Sequence, residues 1–419
     1  MPFPSRELPK LARVQQQFPS GHIEDIRAEA REKLLAGGLA KRIFPGAQIA
    51  ITAGSRGMGG FVELLAGLAD AIKSAGGKPF IIPAMGSHGG ATADGQKELL
   101  RRLGVTEDTV GAPVRATMET LELGASQTGA VAHLDKLAAA ADGVIVLGRV
   151  IAHPANKTGI ASGLLKMTTI GLGKQVGAQQ AHSHGLWESV KAVPQVTLAK
   201  SKVLFGVGAV ENAYGQPVIV EVVPAGYEAF RDADERLLKA ASPHMAGIPF
   251  DKLDVLVIDE FGKNISGTGM DLNVIGKWRL NGGKREPDFL RIVALSLTKP
   301  SMGNGLGIGL ADFITERFMK EYDPAVTYVN LLTATEPGAM NTRQGALPLA
   351  LPSDRQAIEV ALWSALTGPQ PRLCRIKSTA RLDELWVSQS LLEEAKQNPK
   401  LNVLEEARPM NFDRAGDLF

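Results

Sequence analysis

Cysteine is nearly absent: the 419 residues include one, Cys374. A single thiol excludes an internal disulfide, a cysteine-built zinc site and an iron–sulfur cluster held by this chain's thiolates alone. Aromatic residues make up only 5% of the chain. No apolar run approaches the roughly 18 residues of a membrane span, because charge, Gly or Pro soon interrupts each one. Neither sign of charge dominates: 46 Lys and Arg face 44 Asp and Glu, for a net charge of +2. Dispersed, balanced charge argues against general nucleic-acid binding. The opening MPFPSRELPK has no charged-then-apolar secretory pattern, so a cytoplasmic location with no membrane partner is expected. There is no internal repeat and no low-complexity segment.

Glycine is plentiful, with 46 residues, and it clusters where apolar runs end, as strand-to-helix turns require. Helical periodicity with an early acidic stretch and a Gly-Gly stop marks 23–38. QIAITAG (48–54) reads as a buried strand, 60–77 as an amphipathic helix, KPFIIPAMG (78–86) as a strand, and 92–104 as a helix capped by Thr92. The alternation continues with a helix over 133–142, a β-branched strand over 143–152, helices over 174–183 and 186–200, strands near 203–210 and 217–223, and a helix over 226–242. The Pro- and Gly-containing segment 242–250 marks a domain boundary. Beyond it, strands are expected at 253–260, 291–297 and 326–332, with helices at about 309–322, 353–366 and 383–397. The pattern predicts two α/β domains, 1–245 and 246–419, with largely parallel sheets and an interdomain cleft.

Residues 52–60 read TAGSRGMGG, a glycine-rich turn between strand and helix. Such a turn offers backbone N–H groups to an anion. The following strand ends without the acidic residue of a dinucleotide fingerprint. Binding of a phosphate or carboxylate, aided by Ser55 and Arg56, is therefore the expectation, against a plain tight turn. His88, in GSHGG, and His153, in IAHP, each follow the carboxyl end of a predicted parallel strand, where open sheets bind ligands. Imidazole suits proton transfer near neutral pH. Lys166, in SGLLK, follows a small-residue turn inside an apolar segment and is a candidate for covalent chemistry, with a surface lysine as the alternative. His182 and His184, two residues apart on a predicted helix, face different ways and do not form a joint metal site. His22, His133 and His244 lie near helix or linker ends and carry no functional expectation.

Taken in order, GSHGG, IAHP, SGLLK and AQQAH resemble the nickel-pincer lactate racemase family of nickel-dependent 2-hydroxyacid racemases and epimerases. The resemblance covers roughly 45–200, and the 16 positions from Lys166 to His182 match the family spacing. It implies that Lys166 attaches a nickel-pincer nucleotide, that His182 completes the Ni(II) square with sulfur and carbon donors, and that His88 and His153 are acid/base groups. Ser55 and Arg56 would contact the cofactor phosphate or the substrate carboxylate. Inverting a hydroxyacid centre by hydride removal requires hydroxyl proton transfer in two orientations, which two histidines satisfy. Partners implied are a small 2-hydroxyacid substrate and cofactor-biosynthesis proteins. The chain is similar to a divergent member: Ala53 replaces an aspartate three residues before Arg56, the His153–Lys166 segment is about three residues longer, and EFGKNISGTGMDLN (260–273) replaces the family's second-domain motif. Lys263 and Asn264 partly fill that role, and Lys263 is a candidate cofactor contact. Two other readings remain: a Schiff-base lyase or aldolase acting on a keto acid through Lys166, and a non-catalytic sugar-acid-binding protein.

Overall fold

The run QIAITA is apolar from Ile49 to Ile51 and at Ala53, and it forms a strand, β1 (Gln48–Ala53), with all but its first residue buried; the buried Thr52 hydroxyl accepts the Leu147 N–H. Continuous burial of this kind requires cover on both faces, as a parallel sheet provides. The computed structural model describes residues 6–55, 57–152, 161–333, 341–366 and 368–418. It is an α/β protein with largely parallel sheets. One unit is formed by Ser20–Met245, the other by Ala246–Leu331 with N- and C-terminal segments of the chain.

In the first unit β1 is joined by β2 (Lys78–Pro83), β3 (Gly143–Arg149), β4 (Val203–Glu211) and β5 (Pro217–Pro224), in the order β5-β4-β3-β1-β2. β1 runs parallel to both β2 and β3, β3 runs parallel to β4, and β5 folds back antiparallel on β4. The chain leaves β1 for β2 on one side and returns to β3 on the other. The carboxyl ends of β1 and β3 therefore form a topological switch point, where open α/β sheets place their ligands. Alternate residues of β1 feed two cores. Ile49 and Ile51 pack with Leu64, Leu68 and Ile72 of the helix Phe61–Ser74. Ala50 lies in the opposite core, with Val144, Val146, Leu164, Leu165 and Phe230. Thr92 caps the helix Ala93–Arg102 by accepting the Gly95 N–H.

The second unit holds an eight-stranded sheet. Its strands Leu349–Leu351, Phe313–Thr315, Asp288–Leu297, Lys252–Phe261 and Leu373–Ser378 are parallel neighbours. Arg381–Ser388, Leu11–Gln16 and Leu401–Val403 continue it antiparallel. No helix among the described residues is long and apolar enough to cross a membrane.

Four elements differ from the sequence expectation. Residues 133–142 are not one helix: the strand Val131–Asp135 precedes a short helix, Lys136–Ala140. The Asp135 carboxylate starts that helix by accepting the N–H groups of Leu137 and Ala138. Residues 326–332 belong to a helix, Pro324–Thr333, rather than a strand. There Asp323 accepts from Ala325 and Val326, and a proline in the first turn fits the same start. This local capping outweighs the β-branched composition. Over 309–322 a strand, Phe313–Thr315, precedes the helix Glu316–Glu321, which Thr315 caps. Over 383–397 the strand Arg381–Ser388 comes first, and only Leu392–Gln397 is α-helical.

Candidate functional site

Three loops converge at the switch point, each leaving the carboxyl end of a parallel strand. Gly54 and Ser55 follow β1, Ala84, Met85 and His88 follow β2, and Arg149 and Ile151 lie at and beyond the end of β3; all line one cavity of about 160 Å³. Ser162, Gly163, Lys166, Met167, Ile170 and Gly171 form a further part of its wall. The structure thus brings Ser55, His88 and Lys166 together. His153 and Arg56 lie outside the described residues. His182 occupies the last turn of the helix Lys174–Ser183, half-buried, and is not among the lining residues.

The Lys166 turn is held by burial and by a cap from another helix. Leu164 is fully buried and Leu165 nearly so, which anchors the short helix Leu164–Lys166 in the core. Asp234, on the helix Tyr227–Ala241, receives the backbone N–H of Leu164 at 2.8 Å and that of Leu165 at 3.0 Å. A β-carbon at Gly163 would stand 2.2 Å from the Asp234 carboxylate, so only glycine permits this approach. Burial pushes the Asp234 carboxyl up to about 7, against the two N–H donors that pull it down. Directly after Lys166 the chain winds into a π-helix, Met167–Gly171, closed by the Leu172 N–H on the Met167 carbonyl at 2.9 Å. Such wide turns recur at functional sites. The hydroxyls of Thr168 and Thr169 donate to the carbonyls of Leu164 and Leu165. The Lys166 ammonium lies 5.8 Å from the centre of the Trp187 ring, within cation–π range.

The His88 loop rests on a buried ion pair. Lys174 and Asp135 meet at 2.8 Å with no exposed side-chain surface on either. The same ammonium donates to the Pro83 carbonyl and lies 3.4 Å from the Gln96 side-chain oxygen. Gln96 in turn donates to the carbonyls of Gly86, at 2.8 Å, and His88, at 3.2 Å. Burial lowers the Lys174 pKa and Asp135 opposes that shift. Gly89, at φ +66°, presses against the Gly95 backbone so closely that a side chain would clash.

His184 is exposed, with Nδ1 on the Gln180 carbonyl. His133, expected at a helix end, is instead buried in a strand and bonds Thr120 through Nδ1. Lys263 belongs to the second unit. Its backbone N–H bonds Ser301, and its ammonium donates to the Gly267 carbonyl of its own loop. Asn264 accepts hydrogen bonds from Thr298 and Ser301.

Sequence reasoning passed over Arg149, although the rule that selected His88 applies equally to an arginine at a strand's carboxyl end. Lys174 and Asp234 gave no such signal, because their partners are distant in sequence, and Gln96 gave none because its amide bonds backbone carbonyls. The described lining residues include Arg149, Lys166 and His88 but no Asp or Glu, so the cavity suits an anion.

A void of about 150 Å³ accommodates a benzene-sized ring. The cavity therefore has room for one small ring or a small hydroxy acid, with anything larger extending through its mouth. A nucleotide attached in this cavity would be held through the amine of Lys166, which lines it on a well-anchored turn. Among the described residues no group of three or more His, Cys, Asp or Glu side chains is placed to hold a metal by itself, and the pincer group asks for a single protein donor. The assignment of His182 to that donor rests on its spacing from Lys166.

No protein-family model matches the chain, and no curated protein matches it. Among solved structures, it is similar to the lactate racemase apoprotein from Thermoanaerobacterium thermosaccharolyticum, at 12% identity and a TM-score of 0.49, over 88% of this chain and 99% of that one. It is also similar to a protein from Thermotoga maritima, at 12% identity and a TM-score of 0.49, over 66% of this chain and 72% of that one.

Proposed function

We propose that the chain is a racemase or epimerase of a 2-hydroxy acid, working with a nickel-pincer nucleotide attached at Lys166. The observation that carries this reading is the convergence of Lys166, His88 and Ser55 on one cavity at the switch point of the sheet, with no Asp or Glu among its described lining residues. When bound, the group supplies a nickel–carbon centre that takes up and returns a hydride. The protein's share is binding, orientation and proton transfer. Lys166 holds the group through its amine, with His182 as the nickel donor. His88 takes the substrate hydroxyl proton at a ring nitrogen and returns it in the reverse direction, and His153 does the same from the other orientation. Ser55 and Arg56 hold the cofactor phosphate or the substrate carboxylate. Met58, Phe61, Met85, Leu147 and Ile170 line the cavity with apolar surface, which keeps water from the reacting carbon.

The test starts from one enantiomer of lactate or glycerate and protein made in a host that produces the cofactor. Chiral chromatography is expected to show conversion toward a mixture of isomers. In D₂O the hydrogen on carbon 2 should be retained rather than exchanged. His88→Ala should lower kcat by about 100-fold or more, the usual worth of a general base. Borohydride fixation of a keto acid on Lys166, without isomerisation, would replace this reading with an imine-forming lyase.

A further inference from the structure

Arg149 ends β3 at the switch point, and its side chain lines the cavity. Its Nε is ion-paired with Oε2 of Glu211, whose side chain is only 6% exposed. The other carboxylate oxygen of Glu211 accepts the Gly59 N–H at 2.8 Å. One buried carboxylate therefore fixes both the arginine and the glycine turn that follows Ser55. Burial raises the Glu211 pKa, while Arg149 and the Gly59 N–H lower it. The ion pair thus keeps in place a charge that the surroundings disfavour.

The guanidinium is planar, and it meets Glu211 at Nε as an ion pair, with Oε2 accepting no hydrogen bond among the described residues; Nη1 and Nη2 form its outer edge. That edge matches the two oxygens of a carboxylate, a geometry lysine cannot reproduce. Among the described residues no hydrogen bond joins Nη1 or Nη2 to the protein. Among the described lining residues, Lys166 is the candidate for covalent attachment and Arg149 is the guanidinium that lines the cavity; with Arg149 on the carboxylate, Ser55 and Arg56 take the cofactor phosphate.

We propose that Arg149 anchors the carboxylate of the acid that enters this cavity, and that Glu211 is the positioning residue that orients it. The proposal deepens the 2-hydroxyacid reading of the site and rests on it, but it does not depend on nickel. It gives the substrate class as a small monocarboxylate bound in the cavity that Arg149, His88 and Lys166 line.

The experiment is calorimetric titration of the full chain with lactate and glycerate, and with lactamide as the neutral counterpart. Wild-type protein is expected to prefer the acids to the amide by about tenfold or more, the worth of a charge-assisted pair of hydrogen bonds. Arg149→Gln should abolish that preference, and Arg149→Lys should restore part of it. Because Arg149→Gln strands the Glu211 carboxylate, the double variant with Glu211→Gln removes the stranded charge and should also lack the preference. Glu211→Gln alone keeps an acceptor for Gly59 and should weaken acid binding while leaving amide binding unchanged. An acid preference undiminished in a folded Arg149→Gln or double variant overturns the proposal, as does wild-type protein that binds acid and amide equally. In protein from a host that makes the cofactor, loss of the preference without nickel or an adduct on Lys166 would leave the anchor standing and remove the cofactor reading. An adduct on Lys166 with an unchanged preference would do the reverse.

Discussion

Lys174 is a fully buried cation whose neighbours are an equally buried carboxylate, the end of β2 and the glutamine that holds the His88 loop. Removing it leaves Asp135 charged and unpaired in the core, a change worth about 3–5 kcal/mol. Lys174→Met should therefore lower the urea midpoint sharply, and adding Asp135→Asn should recover much of the loss. Equal stability of the single variant and wild type would show that the pair does not hold the loop. Asp234 makes a pH prediction. Its folded-state pKa, about 7, lies above the usual carboxylate value of 3.8. The folded protein therefore binds more protons than the unfolded chain between those values. Its contribution to stability is full below about pH 4 and is lost as pH rises through 7, with a slope of at most about 1.4 kcal/mol per pH unit. Urea midpoints measured from pH 4 to 7 should fall more steeply for wild type than for Asp234→Asn; parallel curves would contradict the assignment. At this scale Ser55, His88 and Lys166 were legible, because each lies in a short motif at the end of a patterned run. Lys174 and Asp234 were not, since a buried charge is recognisable only once its partner, 39 or more positions away in sequence, is known.

The turn carrying Lys166 depends on two elements meeting without a side chain between them. Gly163→Ala would place a methyl group against the Asp234 carboxylate and should cost about 1–3 kcal/mol, as overpacking does. Combining it with Asp234→Ser should be non-additive, because the two residues share the contact. Thermal unfolding of the four proteins measures this, and simple additivity would mean that the docking is not tight. The helices 174–183 and 186–200 were read with their observed bounds, because Gly and Ser punctuate them. The misreadings share a cause. Arg381–Ser388 is a strand because Leu11–Gln16 and Leu373–Ser378 pair with its two edges, and neither partner is local. Pro324–Thr333 is a helix because Asp323 caps it, a signal that its β-branched composition obscured. The π-helix has no sequence signature apart from two threonines whose hydroxyls bond the preceding carbonyls.

At the scale of the whole molecule, the parallel β-α alternation predicted both the sheets and the strand edge at which the cavity lies. Strand order, and with it the switch point between β1 and β3, emerged only from the structure. That order makes one cavity from segments up to 117 positions apart, Gly54 to Gly171. The central claim is that Lys166 in this cavity carries a nickel-bearing nucleotide. Peptide mapping by mass spectrometry, together with metal analysis, addresses it directly in protein purified from a host that makes the cofactor. The account predicts a modified Lys166 peptide and about one nickel per chain, both absent from Lys166→Ala made in the same host. An unmodified Lys166 without nickel would contradict it.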